Sequence, residues 1–416
     1  MSALKGRLDA LRRASGAVTA APPVAAATTA PVAESGLSRL RARIGESRVG
    51  AASATRHGGD TAALAAAVGG QVVDDGLVLV ESRLEAGGRH GRARLRPEAC
   101  REALDSLAPG ATSSGGAVFV DTETTGLAGG TGTVAFLVGL ARFEGDTLVV
   151  HQLLIGAFAG ERRLLEEVAA LTGAASAVVT YNGKSFDAPL LATRFRLAGL
   201  SDPLAGLTHV DLVHPVRRAW SRRWPDCRLQ TAERALLGLE RVGDMPGYEV
   251  PEAWLAWLRH GDATRLRRVV SHNRLDVLSL AALLAPVEAC LRDPVRHGAC
   301  ALAGGTGAMP RDEDALYRYL LDRRADLDDR ALHELGRLAR RRRDWAVAVP
   351  LWQALAERGS AEALERLAKY HEHVAREPSV ALGLAERLAA ALPRDARHHA
   401  RVARLLRRRA RDADET

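Results

Sequence analysis

Apolar positions along the chain fall into two periods. Residues 117–120, Thr133–Phe143, Thr147–Ile155, Ala177–Tyr181 and Thr208–Leu212 are nearly continuous apolar runs rich in Val, Leu and Phe. Such runs predict strands buried on both faces. Gly145-Asp146 separates the second and third as a hairpin turn. Glu161–Leu171, Ala188–Leu200 and most of Arg228–Leu284 repeat at the helical period, with a Pro/Gly loop at Gly243–Pro251. Asp187 and Pro189 mark the start of the second of these helices. Three hairpin-linked strands followed by helix, strand, helix, strand and further helices predict an α/β domain over residues 116–290, a mixed five-stranded sheet flanked by helices.

The flanks have other patterns. Residues 1–58 read as a disordered basic tail, because the Ala/Pro/Thr/Val run Ala17–Ala33 buries too little surface to order itself; two short basic helices, Leu4–Arg13 and Leu37–Ile44, punctuate it. Residues 59–115 form an accessory segment with a helix at Thr61–Val68, a strand at Gly76–Arg83 and a helix at Pro97–Leu107. A linker at 291–311, marked by Gly304–Gly307, leads to an all-helical region over 312–412. There Ala331-Leu-His-Glu-Leu-Gly and Ala363-Leu-Glu-Arg-Leu-Ala repeat at an offset of about 32–33 residues, near the tetratricopeptide period. Two clear units are fewer than an independent solenoid needs, so a plain helical bundle stays open.

Composition narrows the class. Hydrophobic residues at 47% and charged ones at 26% fit a globular protein, and with aromatics at only 4% the cores must be built from Ala, Leu and Val. A net charge of +8, carried almost wholly by Arg (the lysines are Lys5, Lys184 and Lys369), favours a polyanionic partner. Cys100, Cys227, Cys290 and Cys300 have no metal-binding or paired spacing, which points to reduced thiols. No stretch has the length of a membrane span, and the charged start does not read as a signal peptide, so a cytoplasmic location without membrane contact is expected.

The candidate chemistry lies at the ends of predicted elements. Asp121 and Glu123 close the first strand; two apart, they share a face roughly 7 Å from one another. Two like charges held together at a buried strand end are costly, and a divalent cation supplies the missing charge; exposed turn residues are the plainer alternative. Asp187 ends Asn182-Gly-Lys-Ser-Phe-Asp, just past a strand and at a helix start, where a helix cap is the competing account. His272 and Asp276 stand one helical turn apart on a helix whose Val277, Leu278, Leu280 and Leu283 are apolar, so the pair need not be a solvated surface pair. The glycines from Gly126 to Gly132 lack a phosphate-loop ending and read as a loop beside this centre.

Taken together, Asp-Thr-Glu, Asn-x-x-x-Phe-Asp and His-x-x-x-Asp, in this order over Ala117–Leu284, resemble the DEDD exonucleases of the ribonuclease-H-like superfamily. Val210-Asp-Leu-Val-His-Pro-Val-Arg-Arg, Cys227-Arg-Leu-Gln-Thr-Ala-Glu, Asp244-Met-Pro-Gly and His272-Asn-Arg-Leu-Asp-Val-Leu-Ser-Leu are similar to the YprB-like members, which often carry a helical repeat tail. The resemblance implies a ribonuclease-H-like fold and 3′–5′ exonuclease activity on single-stranded DNA or RNA. It also implies two Mg²⁺ or Mn²⁺ ions about 4 Å apart, held by Asp121, Glu123, Asp187 and Asp276, with His272 as general base, water orienter or spectator. His272 stands at the spacing where family members carry Tyr; those with His place it one residue further upstream.

Around this centre, Arg217, Arg218, Trp220, Arg222, Arg223 and Trp224 interleave basic and aromatic side chains as a single-strand platform does, or as an amphipathic helix with core tryptophans does. Asn182 and Lys184 are further nucleic-acid candidates, and Arg340–Arg343 a possible extension of a basic track. Two rival functions share these features: an inactive nuclease fold that acts as a nucleic-acid-binding or scaffold protein, recruiting a protein partner through its C-terminal helices, and a proofreading or RNA-processing enzyme with the same chemistry.

Overall fold

The structure, a computed structural model, describes residues 60–414 apart from residue 86 and residues 113–114, 127–131 and 304–311. The expected basic tail with its two short helices, most of the glycine loop after Gly126 and the Gly304–Gly307 linker lie outside the described residues.

The N-terminal segment contains α1 (Thr61–Val68), β1 (Gln71–Asp74), β2 (Leu77–Leu84), the short hairpin strands β3 (Arg89–His90) and β4 (Ala93–Arg94), and α2 (Pro97–Leu107). Next come β5 (Gly116–Thr124), β6 (Ala135–Glu144), β7 (Thr147–Ile155), α3 (Glu161–Thr172), β8 (Ala175–Thr180), α4 (Asp187–Leu197), β9 (Thr208–Asp211) and α5 (Val213–Trp220). A short turn of helix, α6 (Leu229–Ala232), runs into a π-helical turn at Glu233–Leu237 that Gly238 ends in the left-handed region, φ 59°. α7 (Val250–His260) and the 27-residue α8 (Leu266–Arg292) complete this part.

The sheet has seven strands in the order β1-β2-β7-β6-β5-β8-β9, not the expected five. The five strands legible in the apolar pattern form its centre and one edge. The two extra strands come from the supposed accessory segment: β2 pairs antiparallel with β7 from Leu77 opposite Ile155 to Leu84 opposite Leu148. The free edge of β7 would otherwise expose unpaired backbone groups, and β2 satisfies them. β5 and β8 pair in parallel, as do β8 and β9, whereas β5, β6 and β7 form an antiparallel meander.

On one face, Phe119, Ala141, Val150, Ala177 and Val179 pack with Leu104 of α2, Val216 of α5 and Val277, Leu280 and Leu284 of α8 in one buried core. Side chains alternate along a strand, so Asp121 and Glu123 project from β5 toward this α8 face, whereas Val118, Val120 and Thr122 project to the other. On that second face α3 packs against β6 and β7, and a two-pronged ion pair from Arg194 to Glu161 (2.5 and 2.6 Å) ties α4 to α3.

The C-terminal region is helical, as expected: α9 (Glu313–Asp322), α10 (Asp329–Arg341), α11 (Trp345–Glu357), α12 (Ala361–His373), α13 (Pro378–Ala391) and α14 (Ala396–Asp414), each packed on the next from α9 onward. The two positions related by the sequence offset, Gly336 and Ala368, are both buried, and a Cβ on Gly336 would stand 2.7 Å from Trp352 Nε1. Arg341 and Arg342 are engaged by Glu313 and Asp314 of α9, which leaves the supposed basic track partly neutralised. Among the described residues no helix is long and apolar enough to cross a membrane.

Candidate metal centre

The end of β5 is joined to α8 through a gap in the sheet. Asp121, Gly139 and Gln152 are successive cross-strand partners on β5, β6 and β7. The missing side chain of Gly139 leaves room for Asn273 of α8, whose Oδ1 would lie only 2.2 Å from a Cβ placed there. Asn273, fully buried, uses both ends of its amide: Nδ2 donates to Asp121 Oδ2 at 2.9 Å, and Oδ1 accepts from Gln152 Nε2 at 2.9 Å. This sets the height of α8 over the sheet and orients the Asp121 carboxylate.

The Asn182–Asp187 loop is built on a buried carboxylate at the end of β9. Asp211 accepts from the backbone N–H groups of Asn182 (2.6 Å), Lys184 (3.0 Å) and Val213 (3.2 Å). Asn182 adopts φ 69°, which asparagine tolerates better than most residues. At Gly183 a Cβ would meet the Thr180 side chain at 2.6 Å. The loop delivers Asp187 as the first residue of α4; the capping position is Phe186, with no side-chain cap, so Asp187 is not the helix cap. Its Oδ1 instead accepts from Thr122 Oγ1 at 2.5 Å, across the strand from Asp121 and Glu123.

α8 brings the remaining groups. His272 Nε2 is 3.5 Å from Asp276 Oδ2 and 3.9 Å from Glu123 Oε1. Its Nδ1 lies 2.8 and 2.9 Å from the two oxygens of Asp244. An ionised carboxylate only accepts, so Nδ1 carries a proton and Nε2 is the nitrogen turned toward the acids. The other Asp276 oxygen pairs with Arg241, whose guanidinium also reaches Asp244 Oδ2 (3.0 Å) and both oxygens of Glu233 (2.8 and 2.5 Å).

Burial and neighbouring charges act on all four expected acids. Burial and the charges of Asp276, Glu123 and Asp187 push the Asp121 carboxyl well above the ordinary range, against the pull of Asn273. Burial and the charges of Asp276, Asp187 and Asp244 do the same to Glu123, partly offset by Arg241. Burial raises Asp276 despite Arg241, and it raises Asp187 to about 6 despite the Thr122 hydrogen bond. Asp244, by contrast, is pulled down because its bonds to His272 and Arg241 outweigh its burial. Among the described residues, Glu123, His272 and Asp276 bring potential ligand atoms within 4.8 Å of one another, and Asp121 and Asp187 are not part of that group. Hard carboxylate oxygens crowded in this way, with one imidazole, suit a divalent cation.

A family model described as RNase_H superfamily matches residues 118–287, the span that holds every one of these groups. Over 309 residues the chain is 34% identical to the uncharacterized protein YprB of Bacillus subtilis (strain 168), covering 70% of this chain and 74% of that protein. The chain belongs to the YprB family of the RNase H superfamily. A solved family B DNA polymerase from the hyperthermophilic archaeon Pyrobaculum calidifontis aligns at 16% identity with a TM-score of 0.34, covering 54% of this chain and 29% of that one, a likeness too slight to argue from.

In this YprB-family chain the expected nucleic-acid residues separate into two groups. Arg217, Arg218, Arg222 and Arg223 are exposed on and after α5, although Arg223 also donates to the Gly298 carbonyl at 2.9 Å. Lys184 is exposed in its loop; Asn182 is half-buried and its visible role is the turn it makes. Trp220 is corrected: it is 2% exposed and stacked on Trp224 with ring centroids 4.5 Å apart, so it is core and no base can stack on it. The tryptophan followed the apolar face of α5, where Val213, Val216 and Ala219 are also buried.

Several working residues had no role read from the sequence. Asp211, Glu233, Asp244 and Asn273 lie inside the family-like segments quoted above, so a signal was present without a function attached. Gly139 and Arg241 had none, because a glycine in an apolar strand and an arginine in a loop are common.

Proposed function

We propose that the chain is a divalent-metal-dependent 3′–5′ exonuclease of the DEDD type acting on single-stranded DNA or RNA, with Asp121, Glu123, Asp187 and Asp276 holding two Mg²⁺ or Mn²⁺ ions. Bound there, the ions would clamp the scissile phosphate, activate water and steady the leaving 3′ oxygen. The observation that carries the reading is geometric: Glu123 of β5 and His272 and Asp276 of α8 bring ligand atoms within 4.8 Å of one another, and the charges of Asp276 and Asp187 raise the Asp121 and Glu123 carboxyls. Asn273 orients Asp121, Thr122 orients Asp187, and Arg241 leaves one oxygen of Asp276 facing the centre. His272, fixed through Asp244, would take at Nε2 the proton that the attacking water releases. The test is degradation of end-labelled DNA and RNA strands, each blocked at one end or the other, with Mg²⁺ and with chelator. Chelator-sensitive loss from free 3′ ends supports the reading; no loss with any divalent ion overturns it and favours a scaffold.

Metal stabilisation should depend on pH. The raised acids hold protons in the folded, metal-free protein that the unfolded chain has released, so on their own they cost stability as pH rises from 3.8 toward about 6, the window of Asp187. A cation needs them ionised. The rise in Tm on adding Mg²⁺ is therefore expected to be small at pH 5 and to grow through pH 7, as followed by thermal denaturation. A rise that shrinks over this window contradicts the assignment. Working with the difference removes His90, whose value burial lowers to about 4 and which acts in the opposite sense.

We assign base stacking to two exposed aromatic side chains that neighbour the site in sequence. Phe186, next to Asp187, is 56% exposed, and Tyr248, four residues beyond Asp244, is 74% exposed. An aromatic side chain that stacks on a base contributes ~1–3 kcal/mol. Phe186→Ala and Tyr248→Ala are each expected to weaken binding of a short labelled single strand roughly tenfold, measured by fluorescence anisotropy with Ca²⁺ replacing Mg²⁺. Unchanged affinity in both variants rules out the stacking assignment.

A further inference from the structure

The N-terminal hairpin β3–β4 lies outside the seven-stranded sheet and carries none of the acids, yet it is locked onto the groups behind them. Its Arg92 backbone N–H donates to the Leu237 carbonyl at 2.7 Å, and Arg92 Nη2 donates to the Ala235 carbonyl at 3.1 Å. Gly91, at φ 58°, lets the turn come so close that a Cβ would stand 2.5 Å from the Leu237 carbonyl oxygen. Both carbonyls belong to the π-helical turn that begins at Glu233. A π-turn is an uncommon, locally strained geometry that recurs at functional sites, and this one is braced from outside.

A chain of buried hydrogen bonds continues from the hairpin. His90 Nε2 lies 2.7 Å from Ser279 Oγ, and Ser279 bonds Glu233, whose exposure is 0%. The carboxylate of Glu233 is an acceptor, so the Ser279 hydroxyl donates to it and accepts from His90. Glu233 then grips Arg241, and Arg241 spans Asp276 and Asp244. Every link is a short contact between buried or half-buried groups, where an unsatisfied partner is costly and geometry is tightly held.

We propose that His90, Ser279 and Glu233 form a positioning relay that fixes Arg241, and through it the metal-facing oxygen of Asp276 and the Asp244–His272 pair. This inference rests on the metal-dependent reading above. The hairpin is thereby part of the metal centre without touching it. Groups that orient metal ligands in this way typically set metal affinity by 10–100-fold.

The test uses the full-length chain with Mn²⁺ as the probe, its binding measured from the free-ion electron paramagnetic resonance signal and by calorimetry. Ser279→Ala and Glu233→Gln are each expected to weaken Mn²⁺ binding about tenfold or more, and the double variant no more than the worse single one, because both cut one chain. Ser279→Thr, which keeps the hydroxyl, restores binding. Circular dichroism identifies variants that remain folded, and Ser279→Ala, the smaller change, decides the matter if Glu233→Gln does not fold. Folded Ser279→Ala protein with wild-type Mn²⁺ affinity overturns the relay alone. A wild-type chain that binds no Mn²⁺ overturns the nuclease reading itself and the relay with it.

Discussion

Asp121→Asn is expected to abolish strand degradation, lowering the rate on the order of 10³-fold or more, while raising the melting temperature of the metal-free protein. The two effects have one cause. Asp121 is held beside Asp276, Glu123 and Asp187 with its carboxyl value well above the ordinary range, so its charge is carried at a cost to the fold. Asparagine keeps the side chain's shape and still offers an oxygen to Asn273 Nδ2, now 2.9 Å from Asp121 Oδ2. It removes one like charge from the cluster, and the remaining acids relax. With the charge goes the reason for a cation to bind, so Mg²⁺ should no longer raise Tm in the variant. Thermal denaturation with and without Mg²⁺, beside the degradation assay, checks all three outcomes. A variant that is less stable than wild type and still stabilised by Mg²⁺ would mean that Asp121 serves the fold and that the ion binds without it.

Gly139→Ala is the second large effect, and it acts on the charged groups through packing alone. A Cβ there would approach Asn273 Oδ1 at 2.2 Å, Val277 Cγ2 at 2.8 Å and Asn273 Cγ at 2.9 Å. Neither side can yield readily, since Gly139 is in the middle of the sheet and Asn273 and Val277 are in the long buried helix. Overpacking of this kind costs about 1–3 kcal/mol. Displacing Asn273 adds about 1–3 kcal/mol for each polar group left unpaired, here on Asp121 and Gln152. The expected loss is at least about 3 kcal/mol, a fall in Tm on the order of 10 °C, together with loss of activity because His272 and Asp276 ride on the same helix. In Gly139→Ala/Asn273→Ala the space is restored, so part of the stability should return while activity does not. A fully stable and active Gly139→Ala protein would show that α8 is not held by this contact.

Both outcomes differ from what Trp220→Ala should do. That residue looked from its neighbours like a stacking platform, but it is packed between Trp224 and the core, so its loss would cost stability and not base recognition.

The sequence by itself determined the local elements and which acids stand at their ends. The β5 run ends in Asp121 and Glu123, and period-two geometry alone puts them on one face. Helical period puts His272 and Asp276 one turn apart, and α1 and α2 have the bounds expected from the sequence, Thr61–Val68 and Pro97–Leu107. These features depend on residues within a turn or a strand of each other, which is the range over which backbone geometry fixes side-chain direction. The tertiary structure decided everything that needs contact across the chain. It added β1 and β2 to the sheet, because pairing is settled by which edge lies free. It turned Gly139 from a plain strand residue into the opening through which Asn273 reaches Asp121, and it made Arg241 the hub of three carboxylates. Those roles come from close approach and buried charge, and neither leaves a periodic trace in the order of the amino acids.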